Sequence, residues 1–157
     1  MIKIIAVDDE PAFNEMLCIY MEDFGDFKIS AYTSPKEAFE RIIAGDVDAI
    51  ITDYFMEEMD GISFIRKVKS VVPEIPAVLL TARDDREIIL KAMDAGTDFI
   101  QFKSEEPSRL FAEIAQKITN AVERYRAKQD FEKGSKTREL MMRTQRDLME
   151  RLSASST

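Results

Sequence analysis

The feature that most constrains this chain is a repeat. A short apolar run, a polar turn and an amphipathic helical pattern follow one another five times. The runs are Ile2 to Val7, Phe27 to Tyr32, Asp48 to Asp53, Ala77 to Thr81 and Phe99 to Phe102, the last ending at Lys103. Apolar runs of this length between turn signals read as buried strands of a parallel sheet. Between them stand apolar residues at helical spacing. The first helix opens on Pro11 and carries Phe13, Met16, Leu17, Tyr20, Met21 and Phe24, and Gly25 stops it. Ser34-Pro35-Lys36-Glu37 is a capping box, followed by Ala38, Phe39, Ile42 and Ile43. Ile62, Phe64, Ile65 and Val68 mark the third helix. Asp84 and Glu87 cap a fourth, with Ile88, Ile89, Ala92 and Met93 facing inward. Pro107 opens a fifth with Leu110, Ile114, Ile118, Val122 and Tyr125.

Strand and helix in strict alternation imply parallel strands joined by right-handed crossovers. Five such units predict an α/β fold: a (βα)5 doubly wound parallel sheet in the flavodoxin-like order 2-1-3-4-5, with a helical C-terminal extension. The first strand is followed by no Gly-x-Gly-x-x-Gly or Gly-x-x-x-x-Gly-Lys-Ser/Thr, which argues against a dinucleotide site and a P-loop.

Composition excludes more chemistry than it suggests. The chain has no histidine, so imidazole-based triads and the usual imidazole metal sites are absent. The single Cys18 can make neither an internal disulfide nor a zinc cage, and reads as a small buried hydrophobe. Carboxylate, hydroxyl and amine chemistry remain, with an oxygen-liking cation if any. The net charge of −8 is uneven. Residues 123–157 hold nine Lys/Arg and six Asp/Glu, or +3, which leaves −11 on residues 1–122. This break predicts a domain over 1–122 and a helical tail or linker over 123–157. Gly134-Ser135 is expected to interrupt the tail, with an amphipathic stretch over Leu140, Met141, Leu148 and Leu152 and disorder from Ser153 to Thr157. An acidic surface and a weakly basic tail argue against nucleic acid. The lack of a long apolar run argues against a membrane span, and the start of the chain fits a cytoplasmic protein.

The strand ends carry the chemistry. In the order 2-1-3-4-5, Asp8 and Asp9 end the first strand, Asp53 the third, Thr81 the fourth and Lys103 the fifth. All fall at the carboxyl edge around the switch point, where open α/β sheets bind ligands. Three crowded carboxylates favour a divalent cation, and a shallow site with few protein ligands suits Mg²⁺. The cation would keep Asp53 ionised and neutralise an incoming phosphoryl group. Lys103 and the Thr81 hydroxyl are suited to phosphate oxygens. Taken singly, Asp9 reads as a helix cap, Thr81 as a turn hydroxyl and Lys103 as a surface charge; the set raises all three.

Asp8-Asp9, Asp53, Thr81-Ala82 and Lys103, placed on this (βα)5 pattern, resemble the response-regulator receiver domain of two-component phosphorelay systems. The turn Asp53-Tyr-Phe-Met-Glu-Glu-Met-Asp-Gly61 resembles that family's Asp-x-x-Met-Pro-x-Met-x-Gly, and the likeness covers about residues 1–122. The resemblance implies that Asp53 is the phosphoacceptor. It also implies that Asp8 and Asp9, with Asp53 and the Phe55 carbonyl, bind Mg²⁺, and that Thr81 and Lys103 read the phosphate. Three positions depart from the family pattern: Glu57 replaces the usual Pro, Ser104 replaces the Pro after the lysine, and Ile100 stands where a switching Tyr or Phe is frequent. With Ile100 there, coupling is expected to run through Thr81 and backbone shifts. Phe55 and Arg83, each two residues beyond a site residue, are placed to gate water.

The expected function is a phosphorylation switch in signal transduction. A histidine kinase or phosphotransfer protein would donate to Asp53, and the charge would bias the surface around the fourth helix, fifth strand and fifth helix. Output would pass to a protein target or an appended domain. The chain after residue 122 is too short for a usual winged-helix domain, and its amphipathic stretch fits a homodimer or partner helix. The protein is expected to turn over no small-molecule substrate. A Mg²⁺-dependent phosphohydrolase is a weaker alternative, because Asp53-Tyr54-Phe55 lacks the second Asp of an Asp-x-Asp pair. A phosphate-independent interaction module is another.

Overall fold

The computed structural model describes residues 1–155. Its elements are β1 (Ile2–Val7), α1 (Pro11–Phe24), β2 (Phe27–Tyr32), α2 (Pro35–Ile43), β3 (Ala49–Asp53), α3 (Gly61–Val71), β4 (Ala77–Thr81), α4 (Arg86–Asp94), β5 (Phe99–Phe102) and α5 (Pro107–Ser155). The five strands form one parallel sheet in the order β2-β1-β3-β4-β5. Met1–Val122 form one compact unit and Glu123–Thr157 a second. Among the described residues no helix is long and apolar enough to cross a membrane.

Successive strand residues point to opposite faces, so the sheet has a core on each side. On one face Ile4, Ala6, Ile51, Val78 and Leu80 pack with Leu17 and Met21 of α1 and Phe111 and Ile114 of α5. On the other, Ile5, Val7, Ile50 and Leu79 pack with α2, α3 and α4 through residues such as Ile42, Phe64 and Ala92. Phe64, Phe111, Leu79 and Leu80 are essentially inaccessible. Full burial of such a side chain stabilises by about 1.5–3 kcal/mol.

Local signals hold several helix ends, the expected cap at Ser34 among them. Ser34 Oγ accepts from Glu37 N–H at 3.3 Å at the start of α2, and Asp60 Oδ1 accepts from Ser63 N–H at 2.8 Å at the start of α3. Gly45, with φ of 93°, takes the left-handed conformation that ends α2.

The structure differs from the sequence reading in several places. Phe24 and Ile43, expected on the inward stripes of α1 and α2, are 45% and 49% exposed in the last turns of those helices. α4 is capped by Asp85, whose carboxylate accepts from Glu87 N–H at 2.9 Å, one residue later than expected. Met93 is 64% exposed: α4 meets the sheet with Ile88 and Ala92, and a residue next to Ala92 on the helix points away. Gly134 and Ser135 do not break the helix, because no proline or polar loop follows and the flanking residues are strong helix formers. Ser153 to Ser155 are helical, where disorder was expected; the rest of that expectation, Ser156 and Thr157, lies outside the described residues.

Candidate functional site at the carboxyl edge of the sheet

Register brings the site together. Val7 pairs with Thr52, so the next residues, Asp8 and Asp53, lie side by side on neighbouring strands. Thr81 pairs with Phe102, which sets Lys103 one residue beyond Thr81. Backbone hydrogen bonds continue the sheet into the loops: Tyr54 N–H to Leu80 O at 2.7 Å, Lys103 N–H to Thr81 O at 2.9 Å, and Asp8 N–H to Tyr32 O at 3.1 Å. Asn14 of α1, buried, donates to Asp8 O at 3.0 Å and to Tyr32 O at 3.2 Å, tying the start of α1 to β1 and β2.

The turn after Asp53 is held by Gly61, whose N–H donates to Tyr54 O at 2.8 Å. A Cβ on Gly61 would lie 2.2 Å from Asp53 O and 2.9 Å from Asp53 C. Glycine is therefore required there by the approach of α3 to the backbone of Asp53 rather than by its own dihedral angles.

Asp8, Asp9 and Asp53 each offer a carboxylate oxygen, and these oxygens lie within 4.8 Å of one another. Lys103 Nζ sits between two of these carboxylates, 2.8 Å from Asp8 Oδ2 and 3.1 Å from Asp53 Oδ1. The other Asp8 oxygen accepts from Glu10 N–H at 2.9 Å. Burial, with the neighbouring charge of Asp8, pushes the Asp53 carboxyl up to about 6, and Lys103 only partly offsets this. Burial also disfavours the Lys103 charge, but the hydrogen bond to Asp8 and the charges of Asp53 and Asp8 outweigh it and hold the ammonium above the usual lysine range.

This donor set is all oxygen, compact and short of positive charge, since one ammonium serves three carboxylates. It fits a hard divalent cation, with Asp8, Asp9 and Asp53 as the side chains that would hold it.

A cavity of about 680 Å³ opens beside these residues, lined among others by Asp53, Phe55, Glu57, Thr81, Arg83 and Lys103. Thr81 is buried at the cavity wall, where its Oγ1 accepts from Arg83 N–H at 3.1 Å and donates to Arg83 O at 3.3 Å. In this state its hydroxyl serves the turn. Phe55 is 77% exposed at the mouth, and Glu57 adds an acid at the rim. Ile100 is half-buried against the core on the α2–α4 side of the sheet. The described peptide bonds, Lys103–Ser104 included, are not cis. Cys18 is half-buried rather than fully buried, and burial pushes its thiol up.

Asp8, Asp9, Asp53, Thr81, Phe55 and Lys103 thus come together at one edge. Sequence reasoning missed Phe13. Its helical spacing assigned it to the core stripe of α1, but its ring also lines the cavity, with the Lys103 ammonium 4.1 Å from its centroid. Its place in the first turn after Asp8-Asp9 was the one available signal.

Residues 4–115 match the family described as the response regulator receiver domain. Among curated relatives, the chain is 30% identical over 113 residues to the response regulator Rre1 of Synechocystis sp., covering 71% of this chain and 49% of that protein. It is 29% identical over 119 residues to the response regulator SaeR of Staphylococcus aureus, covering 76% of this chain and 51% of that one. The chain therefore spans about half the length of the curated relatives it matches. Among solved structures, a response regulator receiver domain protein from Clostridium thermocellum superposes with a TM-score of 0.72 at 22% identity, over 81% of this chain and 98% of that one. The chemotaxis protein CheY4 of Vibrio cholerae gives 0.67 at 24% identity, over 74% and 98%. At these identities the structural likenesses speak for the fold alone.

Proposed function

Because this chain belongs to the response regulator receiver family, we propose that Asp53 accepts a phosphoryl group and that the protein works as a phosphorylation switch. The observation that carries the reading is Lys103 Nζ lying between Asp8 and Asp53 at a cluster of three carboxylates, at the switch point of the sheet. Asp53 is the nucleophile, set at the end of a fully buried strand with its carboxylate facing the cavity. Mg²⁺ held by Asp8, Asp9, Asp53 and the Phe55 carbonyl would supply the positive charge that keeps Asp53 ionised and offsets the phosphoryl oxygens. Lys103 adds a fixed ammonium on the Asp53 side. Thr81 would exchange its turn hydrogen bond for a phosphoryl oxygen, and that rearrangement would pull on the β4–α4 loop through Arg83. Phe55 and Arg83, at the cavity wall, would meter water to the acyl phosphate.

The donor in this reading is a histidine kinase or a phosphotransfer protein in the cytoplasm, since the chain has no histidine of its own. Output passes through protein contacts, and the protein turns over no small molecule. Intact-mass spectrometry after incubation with acetyl phosphate and Mg²⁺ tests the reading. One hydroxylamine-labile phosphoryl adduct is expected on wild type and none on Asp53→Ala. An adduct retained by Asp53→Ala, or none on wild type even with a phosphorylated histidine kinase, overturns it.

A further inference from the structure

We propose that Phe13 is a positioning residue for Lys103: its ring face keeps the ammonium beside Asp53 while the phosphoryl group is transferred. The proposal rests on the phosphoacceptor reading above and names a residue that the reading does not use.

Lys103 has a long flexible stem, and the sheet fixes only its backbone, through N–H to Thr81 O at 2.9 Å. Its ammonium has three N–H groups. Two contacts are carboxylates, Asp8 Oδ2 at 2.8 Å and Asp53 Oδ1 at 3.1 Å. On a third side lies the Phe13 ring, 4.1 Å from Nζ to centroid, well inside the range over which the negative ring face attracts a cation. The ring occupies space that water would otherwise take next to the ammonium. It is itself held, since its centroid is 5.9 Å from that of the inaccessible Phe111, which stacks on Tyr20 at 5.3 Å.

The three contacts differ in what the reaction does to them. A carboxylate oxygen of Asp53 forms the new P–O bond as the P–O bond of acetyl phosphate breaks and acetate leaves with the electron pair. Asp53 is then an acyl phosphate with no carboxylate charge of its own, the departing acetate carries that one negative charge away, and the anion beside Lys103 is the phosphoryl group. Asp8 belongs to the cation-holding set. The ring alone neither reacts nor belongs to the cation-holding set, so it can hold Lys103 at one place before and after transfer. A charge already in position needs no reorganisation when the phosphoryl oxygens arrive.

A merely structural Phe13 would fill space with any apolar side chain of similar bulk. The test uses the full chain as wild type, Phe13→Leu, Phe13→Tyr, and a variant with pentafluorophenylalanine at position 13, which keeps the shape but reverses the charge pattern of the ring face. The rate of adduct formation from acetyl phosphate is followed by intact mass. In cation-free protein, NMR follows the Lys103 ε-methylene protons, which the ring shifts upfield. The Leu and pentafluoro variants should be about 3- to 10-fold slower, and Tyr should stay within about twofold of wild type. The upfield shift should be present in wild type and Tyr and absent in Leu. If Leu folds poorly, the pentafluoro variant decides alone. Pentafluoro at the wild-type rate, or Lys103 protons unshifted in wild type, overturns the role of Phe13. Wild type with no adduct from acetyl phosphate, and none from a phosphorylated histidine kinase, would instead sink the phosphoacceptor reading and this role with it.

Discussion

At the scale of the residue, Asp53 is placed at a cost to the fold. Its carboxyl is raised from 3.8 to about 6 by burial first and the charge of Asp8 second. A carboxyl whose folded pKa lies above its unfolded value holds its proton more tightly when folded. That contribution to stability is fully present below about pH 4 and is lost as pH rises through about 6. At neutral pH the ionised side chain therefore strains the cation-free protein. Asp53→Asn should raise its unfolding free energy at pH 7.5 by about 1–3 kcal/mol and flatten the loss of stability between pH 4 and pH 7. Urea unfolding of both proteins across that range checks it, and parallel pH curves would show that Asp53 is not the titrating group. The residues of the site were legible because parallel strands end on one edge, so the last side chain of each run is placed by register alone. Phe13 and Asn14 were not. Apolar spacing cannot separate a ring that packs on the core from one that also meets an ammonium, and a buried asparagine on a helix gives no sequence signal of the carbonyls it will meet.

At the scale of the element, β1, β3 and β4 follow from the apolar runs to within a residue, because a central strand buried on both faces is apolar almost throughout, while β2 and β5, at the sheet edges and only partly buried, follow from their place in the alternation. The helix ends were legible where a side chain caps them, as at Ser34. They were misread where the competing choices differ by little. Asp84 and Asp85 are equally good caps by type, and the tertiary packing of Ile88 selects Asp85. Gly134 was read as a stop, yet a glycine costs a helix only about 1 kcal/mol relative to alanine, and pairs such as Glu139–Arg143 at 3.2 Å support the run beyond it. A Cβ at position 134 would meet only Arg138, at 3.9 Å, an ordinary contact. Gly134→Ala should therefore stabilise the helix by about 1 kcal/mol and raise the far-UV circular dichroism signal on warming. A loss of helicity would mean that the glycine serves a bend in solution.

At the scale of the whole molecule, the two units differ in where their apolar side chains go. In Met1–Val122 they fill the cores on both faces of the sheet. In the second unit Phe131, Leu140, Met141, Leu148 and Leu152 are 53–69% exposed, among side chains of both charges. Large apolar side chains repeated along one exposed helix are a surface that association covers. The methionines there, Met141, Met142 and Met149, can adapt to an imperfect partner surface. The mixed charges make self-association no harder, since a tail of +3 with both signs interspersed can match its own copy. If a second copy covers this surface, deleting residues 134–157 should lower the mass measured by light scattering from dimer to monomer. The melting temperature of the receiver unit should stay within about 2 °C, because the deletion removes none of its core. An unchanged mass would remove the homodimer and leave the exposed stripe to a different protein.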